Sequence, residues 1–130
     1  MISSRKDYID YRIRKAEDTF DDARLLFNNS RLNAAVNRLY YACFYIVNAS
    51  LLSKNLQAQT HNGVKTLFFK EFIKTGIIQP ELGKLYSDLF DWRQEADYSD
   101  LVDFDKESVE KMISETDNFI KTLKTIIYKI

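Results

Sequence analysis

Apolar residues recur at helical spacing almost from one end of this sequence to the other, and few residues in it could interrupt a helix. In the first segment Ile13, Ala16, Phe20, Ala23 and Phe27 repeat at intervals of three and four, with charged residues on the other faces. Three glycines and one proline leave little turn chemistry for an all-β chain. The stretch "NNSR" breaks the first helix, and Asn29 or Ser30 is placed to cap a second helix from about Arg31 to Ser53. "KNLQAQT" reads as a loop, with Thr60 as N-cap of a third helix from His61 to about Lys74, stopped by Gly76. Pro80 suits the first turn of a fourth helix that continues to about Tyr98. Beyond the connector "SDLVDFD", Asp103 or Asp105 caps a last helix that buries Val109, Met112, Ile113, Thr116, Phe119, Ile120, Leu123 and Ile127. Short connections set neighbouring helices antiparallel. The expected fold is all-α, a four- to five-helix up-and-down bundle forming one domain over residues 1–130.

Charge and cysteine content narrow the function. Lys+Arg and Asp+Glu number 19 each, so no global basic field advertises nucleic acid, no DNA partner is expected, and any anion site must be a local cluster. Cys43 is the single cysteine, which excludes an intramolecular disulfide, and its place on an apolar helix face makes it a small core filler. One histidine and one cysteine far apart make neither a metal site nor a nucleophile pair, and no cofactor motif is present. "MISSRKDYID" lacks the apolar run of a signal peptide, and no stretch approaches the roughly 18 apolar residues of a membrane span. The expected location is the cytoplasm, away from membranes.

The second helix is apolar nearly all round. Leu32, Ala35, Val36, Leu39, Cys43, Ile46 and Val47 form its core face, while Arg38, Tyr41, Tyr45 and Asn48 line the roughly opposite side at spacings of three, four and three. Tyr40, Phe44 and Leu51 fill the arc between. Such a helix is buried on more than one side, and a small bundle is expected to cover only one, leaving the other to a second copy in a twofold homodimer. The alternative is cover by another helix of the same chain. Arg38 needs a carboxylate or a phosphate there, because a guanidinium does not shed its proton and is costly to bury unpaired. The fourth helix repeats the puzzle, since Arg93 follows Leu82, Leu85 or Tyr86, and Leu89 on the core-facing side, with Asp97 four residues on as an available partner.

"NRLYYACFY", then "THNGV", then "LFDWRQEADYSD" together resemble the HEPN domain family in its stand-alone prokaryotic branch. Those chains read N-R-x-Y-Y-A-x-F, S/T-H-x-G-V and R-x-x-A-D-Y in this order, and the match covers about Arg31 to Tyr98. The resemblance implies a helical bundle that dimerises and binds RNA or nucleotides. It also implies a nucleotidyltransferase antitoxin as partner. Active members are metal-independent endoribonucleases whose arginine is followed, after four to six intervening residues, by a histidine. Arg38 takes the arginine position, but Cys43, Phe44 and Tyr45 stand where the histidine should be, and after Arg93 come Tyr98, Ser99 and Asp100. The catalytic motif is incomplete.

That gap has chemical weight. Metal-free RNA cleavage needs a base for the 2′-OH proton and an acid for the leaving 5′ oxygen, roles that histidine fills near neutral pH. Tyrosine, with a pKa of about 10, is a poor base but can donate a hydrogen bond to phosphate. His61 begins the third helix, where free N–H groups favour an anion, and by resemblance it belongs to the family's T-H-x-G motif. Its bland reading is a partly exposed first-turn residue. Tyr40, Tyr41 and Trp92 could stack on bases or pack in the core. Arg38, Tyr45 and His61 are therefore the catalytic candidates, and Asn37, Tyr41, Asn48, Arg93 and Asp97 the binding candidates. Three accounts compete: a catalytically weak RNA- or nucleotide-binding protein paired with a nucleotidyltransferase, an active ribonuclease toxin using Tyr45 or His61, and a helical scaffold whose arginines are structural.

Overall fold

The computed structural model describes residues 4–98 and 103–129, with 95–98 by backbone alone. Five α-helices follow one another, and the described residues contain no strand: α1 Arg5–Asn28, α2 Leu32–Ser53, α3 His61–Phe68, α4 Pro80–Tyr98 and α5 Lys106–Lys129. The chain is an all-α bundle. The apolar stripe of α1 buries Ile13, Ala16, Phe20 and Ala23, with Phe27 half-buried at its end. On α5 the expected row is inside except for Ile113, which packs half-buried against the core. Glu17 meets Lys124 at 3.0 Å and Asp10 meets Tyr128 at 3.3 Å, so α1 and α5 run antiparallel.

The helix ends show where local chemistry departs from the sequence expectation. Ser4 caps α1 by accepting the Asp7 N–H at 3.1 Å. Neither Asn29 nor Ser30 caps α2. Ser30 adopts a left-handed φ of 59° and closes α1 instead, with the Arg31 N–H donating to the Leu26 carbonyl at 2.9 Å. The N-cap of α2 is then Arg31, which supplies no side-chain acceptor. Asn55 closes α2 in the same way, at φ 60°. Thr60 caps α3 and Asp105, not Asp103, caps α5, taking the Ser108 N–H at 2.7 Å.

The third helix is not α-helical to Lys74. From Phe69 to Ile73 it widens into a π turn, in which the Lys74 N–H reaches five residues back to the Phe69 carbonyl at 2.8 Å. The Glu71 carbonyl takes hydrogen bonds from Lys54 Nζ and Thr75 Oγ1, both at 2.9 Å. Gly83 of α4 sits so close that a Cβ there would come within 3.1 Å of Ile73 and Phe69 side-chain atoms. Gly76, at φ 80°, then turns the chain toward α4.

α2 is the axis of the bundle and touches α1, α3, α4 and α5. This corrects the expectation that one bundle covers only one of its faces. Tyr40 and Leu51, assigned to the arc beyond the core face, have no exposed surface, and Ala42, Ala49 and Ser50 are equally enclosed within the chain. Leu32, expected inside, is only half-buried. Left partly open is the line of Arg38, Tyr41, Phe44, Tyr45 and Asn48.

Candidate functional site

The partly open line of α2 becomes a site because α3 begins against it. The Thr60 hydroxyl accepts the Gly63 N–H at 2.9 Å, and a Cβ at Gly63 would stand 3.0 Å from that same oxygen. The T-H-x-G spacing thus builds a tight first turn that seats His61 on α2. His61 stacks on Phe44, with ring centres 4.3 Å apart and planes 20° apart, and meets Tyr41 edge-on at 5.8 Å. Its Nδ1 lies 2.7 Å from the hydroxyl of the enclosed Tyr40.

Two arginines stand on the same aromatic group. The Arg93 guanidinium of α4 lies 4.8 Å from the Tyr40 ring centre and 5.8 Å from that of Tyr41. The Arg38 guanidinium lies 4.9 Å from the Tyr41 ring. Arg38 also donates through Nε and Nη2 to Asn37 Oδ1, at 3.2 and 2.9 Å. Among the described residues neither arginine has a carboxylate partner, and the buried Arg93 Nε has no hydrogen-bond acceptor. The side chain of Asp97, the partner foreseen for Arg93, lies outside the described residues.

The environment sets the protons. Burial pushes the Tyr40 hydroxyl up to about 12, with the nearby Arg93 charge acting in the opposite sense, so the hydroxyl keeps its proton. Partial burial, and then the Arg93 charge, hold His61 below its ordinary 6.5. A neutral imidazole therefore faces a protonated phenol. Donation from Tyr40 to Nδ1 would satisfy a hydroxyl that has no exposure, and in that tautomer the ring proton of His61 sits on Nε2.

The remaining candidates take outer positions. Tyr45 meets the cluster through Phe44 and Tyr41, at 5.9 and 6.2 Å, while the Lys15 ammonium of α1 stands 5.0 Å from its ring. Asn48 turns its amide nitrogen along α2 to the Phe44 carbonyl, at 2.8 Å. Trp92 packs on Phe104, away from this group. The described residues hold no group of three or more His, Cys, Asp or Glu side chains fit for a metal. Cys43 is enclosed, and burial pushes its thiol up.

The model of the HEPN domain matches residues 9–126, nearly the whole chain. The chain belongs to the HEPN family. It is 42% identical over 126 residues to a UPF0332 protein of Thermotoga maritima, covering 97% of this chain and 96% of that one. It is 37% identical over 118 residues to a Methanocaldococcus jannaschii protein named "Putative toxin MJ0142", covering 90% and 80%. A UPF0332 protein of Archaeoglobus fulgidus is 29% identical over 123 residues, covering 95% and 98%. These relatives accord with the stand-alone prokaryotic branch.

In this HEPN bundle the residues that sequence reasoning underrated are Tyr40 and Phe44. Both were weighed chiefly as packing, and both do pack. Yet the Tyr40 hydroxyl also hydrogen-bonds with His61 Nδ1, and Phe44 is the platform on which the imidazole lies. Their spacing of four was visible. What faces them was not, because a loop brings it there.

Proposed function

We infer that the chain is a catalytically weak, toxin-type HEPN protein that binds RNA or a nucleotide through the Arg38–Tyr41–Arg93–His61 cluster. The observation that carries this is the Tyr40–His61 hydrogen bond at 2.7 Å beside two arginines without described carboxylate partners. Guanidinium groups and an Nε2–H all donate, which suits phosphate oxygens, and Tyr41 offers a ring to a base. In the tautomer whose Nδ1 accepts from Tyr40, the imidazole has no free lone pair, and the cluster then lacks the general base that cleavage requires. The half-buried line on α2 supports a homodimer with this face at or beside the interface, and the toxin-named relatives support an antitoxin as partner, which the sequence resemblance makes a nucleotidyltransferase.

Binding of a labelled RNA followed by anisotropy tests the reading. Arg38→Ala should weaken it about tenfold or more, and affinity should fall as salt rises because phosphate contacts release counterions. Unchanged affinity in Arg38→Ala removes the site. A second reading, an active metal-independent ribonuclease, is favoured by the placement of His61 within the arginine cluster. Brisk cleavage by the parent chain in chelator, lost in His61→Gln, would establish it. Under the binding reading the parent cleaves slowly at most, and Tyr45→His, which restores the family's residue, should speed cleavage to a 2′,3′-cyclic phosphate end.

A further inference from the structure

Beyond the cluster, α3 and its π turn form with α4 a groove of about 480 Å³ that no described carboxylate lines. Lys65, Lys70 and Lys74 line it, with Asn62, Thr66 and Ser87 as neutral donors between them. In a chain with equal numbers of acidic and basic residues, this segregation needs a reason. Elsewhere Lys6, Lys54, Lys84, Lys121 and Lys124 each have a carboxylate within 3.9 Å or less, and the lysines without one, Lys15, Lys106, Lys111 and Lys129, are not gathered three to a groove. Glu71, the one acid of the segment 61–74, is drawn to Lys54. Lys65, Lys70 and Lys74 make no ion pair among the described residues.

The π turn is what gathers them. In an uninterrupted α-helix Lys65 and Lys74, nine residues apart at about 100° each, would point to opposite sides. A π turn accommodates one extra residue, which sets everything beyond it back by about 100° and brings Lys74 round toward Lys65. The groove also continues from the cluster. Lys65 Nζ lies 4.6 Å from the Phe90 ring centre, and the Arg93 guanidinium lies 5.9 Å from that same ring. Cations and rings therefore alternate from Arg38 to Tyr41, Arg93, Phe90 and Lys65, then on to Lys70 and Lys74. The helical stretch from Lys65 to Lys74 adds about 13 Å of basic wall.

We propose that this lysine groove carries the sugar–phosphate backbone of a single RNA strand away from the arginine cluster. The proposal rests on the RNA reading above and adds a path and a strand length to it. Single-stranded nucleic acid is held by such grooves, in which positive charge follows the backbone and neighbouring rings stack on bases.

The test compares a uridine tetramer with a uridine dodecamer on the full chain. The parent should bind the dodecamer at least about tenfold more tightly, beyond a statistical gain from extra sites. Lys65→Gln/Lys70→Gln/Lys74→Gln should lose that advantage while keeping tetramer binding, and its log–log salt slope should drop by about 2, from three single-strand phosphate contacts. Because Lys65 also covers Phe90, Lys70→Gln/Lys74→Gln is measured alongside, with an expected drop of about 1.4. A control triple, Lys111→Gln/Lys121→Gln/Lys124→Gln, makes the same change in net charge. An equal loss in the control, or an unchanged slope in the groove variants, overturns the path while leaving the arginine cluster standing. Tetramer binding that survives Arg38→Ala removes the cluster reading. Failure of the parent to bind either oligomer removes both.

Discussion

Ser87 and Asp88 are neighbours on α4, yet they open onto grooves of opposite character. Ser87 faces the three lysines of α3 and its π turn. Asp88 faces a larger groove of about 690 Å³ toward α5, where Glu81, Asp103, Asp105 and Glu115 outnumber Lys84 and Lys111. Two of the carboxylates on the acidic side are engaged in folding. Asp88 takes Lys84 at 2.7 Å, and Asp105 caps α5, a hydrogen bond that holds its carboxyl below the usual range. The lysines across the helix have no such partners. Charge balance over a whole chain thus conceals what matters for ligands, which is whether each charge has an internal counterpart. α4 separates a side where Asp88 and Asp105 help the fold from a side whose three lysines are left available to an anion.

Removing the wall between the grooves gives the largest effect. Leu89 has no exposed surface, and Leu89→Ala should cost about 2–5 kcal/mol of unfolding free energy through its lost contacts and the cavity left behind. Denaturant titration measures it, and a cost below 1 kcal/mol would mean α4 is not a fixed partition. Next comes Arg93, on the ligand side. Arg93→Gln should lower RNA affinity about tenfold and cut the salt slope by about 0.7. If it alters stability and leaves affinity alone, Arg93 belongs to the packing and the contrast narrows to the lysines.

On the acidic side the two readouts should reverse. Asp105→Ala removes the α5 cap and should lower the denaturant midpoint modestly with RNA affinity unchanged. Weakened RNA binding there would break the division of labour. The smallest effect concerns pH. His61 is held below 6.5 in the fold, so the unfolded chain takes up that proton first on acidification. The contribution of this residue to stability is present above about pH 6.5 and is lost as pH falls through the depressed folded value. His61→Gln should flatten that part of the stability profile, and an identical profile in the variant would show that burial and the Arg93 charge do not set its protonation.

The bundle was legible because its signals are local. The α1 stripe, Thr60 before His61, and Pro80 opening α4 each act within one or two turns, and the structure follows them. Where two local uses of one residue compete, sequence alone does not decide, as at Ser30, which serves the end of α1 rather than the start of α2. The π turn coincides with Lys54 reaching Glu71 and with the close approach of Gly83 from α4, neither of which is a periodicity. The same holds for the site. Arg38 and Arg93 stood out as cations on apolar faces. Their meeting on Tyr41, and the bond from Tyr40 to His61, come from three separate helices converging across a loop.

Tyr40 gives the molecule an uneven tolerance to change. Its ring lies against Tyr86 and Phe90 of the interior on one hand and against Tyr41, Phe44 and His61 on the other, with Arg93 above it. Surface lysines can drift in a lineage one at a time, each with a graded effect. A substitution at this ring is not graded in that way, because it alters the interior and the ligand face together. Neither can be retuned there without disturbing the other, so diversification of such a protein is channelled outward, to the residues that ring Tyr40 rather than to Tyr40 itself.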